Sequence, residues 1–196
     1  MSTRGREKRC ERGATLIELI MFIVVVGAAV AGVLGAISYA TRASVDPMIQ
    51  KQALAIAEAM LEEVQLQPFT YCDPDDANAA TATDTTGCAA AVEAMGPEAV
   101  DVPPTGPLET RGGTVRPFDN VNDYNGFSMS GTIADIAGNT ISGLDGYAAS
   151  VSVAAQALST VPSTDSLLIT VTVTGPASTT VVLHGYRIRY APNALP

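Results

Sequence analysis

The chain has 196 residues, with 20 acidic against 11 basic side chains, a formal net charge of -9 and a pI near 4.4. That acidic balance disfavours a nucleic-acid module, which neutralises phosphates with clustered Lys and Arg, and a single histidine, His184, excludes a histidine-rich metal centre. With 47% hydrophobic and 16% charged residues the chain carries enough apolar surface for a folded core.

Charge is unevenly distributed. Residues 1–13 hold five basic side chains (Arg4, Arg6, Lys8, Arg9 and Arg12) and two acidic ones (Glu7 and Glu11), which leaves 6 basic and 18 acidic residues, a net of -12, from Ala14 onward. A basic head before an apolar run stays cytoplasmic while the following chain crosses the bilayer. Residues 19–41 then pass without a charge, and a helix of that length covers about 34 Å, enough for the hydrocarbon core. The acidic remainder is expected beyond the membrane.

Three readings compete for the apolar run: a cleaved secretory signal, a plain membrane anchor and a pilin-type N-terminus. Ala29-Val30-Ala31 offers an A-x-A-like signal cleavage site, but the run is long for a signal and Glu18 stands at its start. Small residues recur through it (Gly27, Ala28, Ala31, Gly32, Gly35 and Ala36), the kind of surface on which membrane helices approach closely. A carboxylate beside the apolar phase is costly unless paired, so an acid there marks a functional position. The alternative is that Glu18 lies at the interface and reaches water.

Arg12-Gly13-Ala14-Thr15-Leu16-Ile17-Glu18-Leu19-Ile20 resembles the prepilin motif of type IV pilins and type II secretion pseudopilins, with Ala14 where the family usually carries Phe. The resemblance implies that a prepilin peptidase cuts between Gly13 and Ala14 and N-methylates Ala14. It also implies a role for Glu18, as the acid that pairs with a neighbouring subunit's N-terminal amine during assembly. Two charges that are each costly in lipid offset one another when they meet.

Residues 42–67 continue as an amphipathic helical half. Ala53, Ala57, Met60, Leu61 and Val64 fall on one apolar face, Glu58, Glu62 and Glu63 lie mostly off it, and Pro68 ends the helix. Asp46-Pro47 at the junction either starts a new helix or kinks a continuing one. Read as one helix, residues 14–67 extend about 80 Å.

Residues 68–126 are loop-rich, include the proline-rich run 102–107, and leave room for a short helix at 88–95. Cys72 and Cys88 lie 16 apart and are the only cysteines outside the leader. In an oxidising compartment they are expected to form a disulfide worth about 3 kcal/mol. No further Cys or suitably spaced His completes a metal pair. Asp119, Asn120, Asn122, Asp123 and Asn125 crowd one short stretch, a density of oxygen ligands that suits Ca²⁺. Their spacing misses D-x-[DN]-x-[DN]-G, no Glu follows near the twelfth position, and Asx turns use the same residues without an ion. No metal and no cofactor is assigned.

From Phe127 the period becomes two. Strands are expected at 147–153, 167–174 and 180–190, with a further one at 127–133 and a Gly175-Pro176 turn between the last two. Alternation in the last strand sets Arg187 and Arg189 on one face and His184, Tyr186 and Ile188 on the other, with His184 read as structural. The expected fold is α+β and type IV pilin-like: a long N-terminal helix, with a transmembrane half at 14–41 and an amphipathic half at 42–67, packed on a C-terminal antiparallel β-sheet within 127–196.

Within the pilin-like class, Asp46-Pro47, the run 52–59 (QALAIAEA) with Leu61-Glu62-Glu63, Asn122-Asp123-Tyr124-Asn125-Gly126, Leu144-Asp145-Gly146-Tyr147 with Val151-Ser152-Val153, and Gly185-Tyr186-Arg187 resemble the MshD minor pilins of mannose-sensitive haemagglutinin (MSHA) pili. The resemblance implies a minor pilin that primes or supports pilus assembly. It would be held in the bacterial inner membrane with a cytoplasmic N-terminus and a periplasmic C-terminal domain, then enter the fibre or its tip. Its implied partners are the prepilin peptidase, other major and minor pilins, the inner-membrane assembly platform and membrane lipid. A minor pseudopilin of a type II secretion system, or a tip adhesin whose 69–118 region binds a surface ligand, are the alternatives. Catalysis is not expected: residues 126–131 (GFSMSG) miss the G-x-S-x-G elbow by one residue, and no phosphate loop or dinucleotide fingerprint occurs.

Overall fold

The computed structural model describes residues 15–98, 108–193 and 195, without the side chains of residues 41–46. The leader 1–13, the Gly13–Ala14 junction and the run 102–107 lie outside the described residues. The chain divides into two compact units, Met1–Val45 and Asp46–Pro196, and each is taken by itself.

In the first unit, helix α1 (Leu16–Leu66) begins directly after Thr15. The Thr15 hydroxyl accepts the Glu18 N–H at 3.4 Å and the Thr15 carbonyl accepts the Leu19 N–H at 3.2 Å, so a threonine caps the first turn. Leu16–Ala40 is long and apolar enough to cross a membrane. All its side chains are exposed within the unit, a surface suited to lipid or to other apolar helices rather than to water.

In the second unit α1 runs on through Pro47 to Leu66. Its buried stripe is Ala53, Ile56, Ala57, Met60 and Val64, spaced as an amphipathic helix requires. Four strands follow: β1 (Ser128–Met129), β2 (Ala148–Ala155), β3 (Ser166–Thr174) and β4 (Thr180–Ile188). They form one sheet in the order β1-β2-β3-β4, each antiparallel to the next, with Val151 opposite Val171 and Val171 opposite Leu183. Val151 and Val153 of β2 and Leu167, Ile169, Val171 and Val173 of β3 share a core with the helical stripe. Phe118, Tyr124 and Phe127 close one part of that core edge-to-face, with centroids 4.9–6.2 Å apart.

Gly185 of β4 explains how closely the helix approaches. A Cβ there would meet the Leu61 side chain at 2.9 Å and collide with the Gln65 amide. Leu61 sits half-buried beside the glycine and packs against the core as expected, and Ile56 joins the buried stripe.

Two expectations are corrected. The strand expected at 127–133 contracts to Ser128–Met129. The segment 88–95 is not helical: only a 3₁₀ turn, Thr85–Gly87, precedes Cys88, and Val92 forms a bridge with Cys72. The Asp73 N–H donates to Ala91 O at 3.3 Å and the Glu93 N–H to Tyr71 O at 3.2 Å. These long-range bonds outweigh the helical preference of an alanine-rich stretch.

Candidate functional sites: the head of the helix and an acidic cluster

Glu18 lies in the first turn of α1, exposed and followed directly by the apolar segment. A carboxylate at a helix N-terminus interacts favourably with the helix dipole, so its position is stable locally before any partner arrives.

The disulfide expected between Cys72 and Cys88 is present, with Cα atoms 5.5 Å apart. The loop it closes is organised by Asp76. Asp76 Oδ1 accepts the N–H groups of Asn78 and Ala89 at 2.8 and 2.9 Å, and Oδ2 those of Ala90 and Ala91 at 2.7 and 2.9 Å. Desolvation pushes this carboxyl's pKa upward, but the backbone donors outweigh it and hold the group well below the usual carboxylate range. Near the chain's end, the Asn193 amide donates to Ala79 O and Ala82 O at 3.1 and 2.9 Å, tying the tail to the same loop.

Beside this loop, seven carboxylates among the described residues converge in three overlapping triads: Asp73, Asp75 and Asp119; Glu93, Glu98 and Asp123; and Glu109, Asp119 and Asp123. Within each triad one oxygen from every side chain lies within 4.8 Å of the others. The residues come from four segments. Asp73 and Asp75 follow the helix, Glu93 and Glu98 stand on the return from the disulfide, Glu109 comes next, and Asp119 and Asp123 flank the start and body of the 3₁₀ turn Val121–Tyr124.

Asp123 is 0% exposed. Its Oδ2 accepts the N–H groups of Asp119 and Asn120 at 2.9 and 2.8 Å, whereas Oδ1 is buried without a hydrogen-bond partner. Asp73 is 1% exposed; its Oδ1 accepts the Asp75 N–H at 2.7 Å, and its Oδ2 is likewise unpartnered. Desolvation, reinforced by neighbouring carboxylates, raises the pKa of Asp73, Glu93, Glu109 and Asp123, and takes that of Asp119 to about 7. Arg189, stacked over Phe69 and Tyr71 at 3.9 and 4.2 Å from the ring centroids, interacts electrostatically with Glu93.

Of the five Asx residues that stand out at 119–125, the two carboxylates, Asp119 and Asp123, join the triads, and Asn120 Oδ1 and Asn122 Oδ1 are buried without a hydrogen-bond partner. The Asn120 amide donates to the Thr70 hydroxyl at 2.7 Å, and Asn125 Oδ1 accepts the Val153 N–H at 3.1 Å. The other carboxylates are distant in sequence, and no linear spacing announces them. Their all-oxygen chemistry suits a hard cation. His184 stands apart on β4, exposed, with Nδ1 3.0 Å from the Thr170 hydroxyl.

Comparison with protein-family models, with curated proteins and with solved structures finds no significant match for this chain.

Proposed function

We propose that this chain is a pilin-like subunit, a minor pilin of an MSHA or type IV-like pilus that primes or supports fibre assembly. The observation that carries the reading is the nine-residue stretch 12–20, in which a Gly-Ala junction is followed by Glu18 and then by the exposed apolar segment ending at Ala40. On this reading a prepilin peptidase removes residues 1–13 and methylates Ala14, and the apolar segment holds the subunit in the inner membrane. The acidic C-terminal unit lies on the periplasmic side, as the basic head predicts. Assembly then moves the helix from lipid to neighbouring helices. Glu18 steers that exchange, because its charge finds the methylated amine of the adjacent subunit.

The test is the intact mass of the protein purified from its own membranes. The expected species begins at Ala14 and is about 14 Da heavier than the bare chain, from one methyl group. A chain beginning after Ala31 would lack both Glu18 and most of the anchor, and would overturn the reading.

A further inference from the structure

We propose that the carboxylate cluster of Glu93, Glu98, Glu109, Asp119 and Asp123 binds a calcium ion. The inference is independent of the pilin reading and rests on two separate observations.

The first is spacing. Ca²⁺ holds its oxygen ligands at roughly 2.3–2.6 Å, so ligands on opposite sides of one ion are about 4.6–5.2 Å apart. The oxygens of each triad lie within 4.8 Å of one another, inside that limit. Asp123 belongs to two triads and Asp119 links them to Asp73 and Asp75, so Asp123 lies at the centre of the site.

The second is an orphan oxygen on Asp123. The Asp123 side chain is fully buried, and two backbone N–H groups orient it through Oδ2. This leaves Oδ1 with no donor. A buried carboxylate oxygen without a partner is strongly disfavoured, and the side chains that share the triads with Asp123 are all carboxylates, which can only accept when ionised. A cation held by the triads that share Asp123 supplies the missing partner.

The donor set selects the metal. Zn²⁺ favours Cys and His nitrogen or sulfur, and neither enters the triads. Mg²⁺ demands a compact octahedron and keeps much of its water, whereas Ca²⁺ accepts several carboxylates from irregular loops. Bound calcium would join the return from the disulfide, the Glu109 segment and the 3₁₀ turn into one rigid body.

The experiment uses the full-length chain in detergent, stripped with EDTA and dialysed free of chelator. Calcium chloride at 1 mM is expected to raise the thermal midpoint by roughly 5–10 °C, with saturable heat in a calorimetric titration and a clearly smaller shift in 1 mM magnesium chloride. Asp123→Asn should abolish the calcium shift while leaving the stripped midpoint at or above that of wild type, because the new amide donates to the crowded carboxylates. Glu109→Gln should cut the calcium shift at least in half, and Asp145→Asn, an exposed acid outside the triads, should retain it in full. A stripped wild-type chain that ignores calcium, an equal response to magnesium, or a calcium shift that survives both Asp123→Asn and Glu109→Gln would overturn the proposal.

Discussion

Glu18 and Asp76 accommodate a carboxylate in opposite ways. Asp76 has its partners built in: four backbone N–H groups from residues 78 and 89–91 point at its two oxygens. Asp76→Ala leaves those donors without an acceptor, and a loss of about 2–3 kcal/mol is expected at pH 7 by urea unfolding. The folded pKa lies below the ordinary value of 3.8, so the stabilisation is complete above about pH 4 and is lost as acid protonates the folded carboxyl. The gap between wild type and Asp76→Ala should therefore narrow below about pH 4; a gap constant down to about pH 2.5 would remove Asp76 from that role. Glu18, by contrast, has the helix N-terminus beside it among the described residues. If its partner is another subunit's amine, Glu18→Ala should be processed normally but enter fibres about tenfold less, the factor produced by about 1.4 kcal/mol per docking event. Normal incorporation would end the pairing role.

Between elements, a bidentate polar tie is made by Glu63 and Arg111. The Arg111 guanidinium donates to both Glu63 oxygens at 2.6 and 2.7 Å and, through Nη1, to the carbonyls of Ala134 and Asp135 at 3.1 and 3.0 Å. The Tyr124 hydroxyl donates to Glu63 Oε1 at 2.8 Å. The helix, the segment after residue 108, the 3₁₀ turn and the 134–135 loop thus meet at one ion pair whose side chains are 9% and 19% exposed. Glu63→Ala leaves a largely buried guanidinium unpaired, and a destabilisation of about 3 kcal/mol is expected in chemical unfolding. Arg111→Ala should add little to it, since the two side chains act as a unit. This tie was not legible beforehand. Glu63 read as a solvent-side acid next to the apolar stripe, and 48 residues separate it from Arg111. What was legible was periodic: the helical stripe ending at Val64, the alternation of β2 to β4, and the lone pair Cys72 and Cys88. The segment 88–95 misled because CAAAVEAM favours helix locally, while the disulfide and the Asp76 cradle hold it extended.

At the scale of the chain, charge is the organising variable. The net of -12 from Ala14 onward is not spread evenly, since seven carboxylates among the described residues gather in one cluster. Sequence composition revealed the excess but not the gathering, because ligands from residues 73 to 123 become neighbours only through folding. The sheet has another consequence, for the making of the protein. Strands β2, β3 and β4 pair with their neighbours in sequence, and contacts close along the chain form early. The helical stripe instead meets β3 across about 100 residues of intervening chain. Translation proceeds at roughly 5–20 residues per second, so the stripe leaves the ribosome roughly 5–20 s before its sheet exists. During that interval Ile56, Met60 and Val64 face water with nothing of their own to cover them. The exposed moment in this protein's life is therefore its synthesis, when an apolar helix must be shielded until the meander arrives.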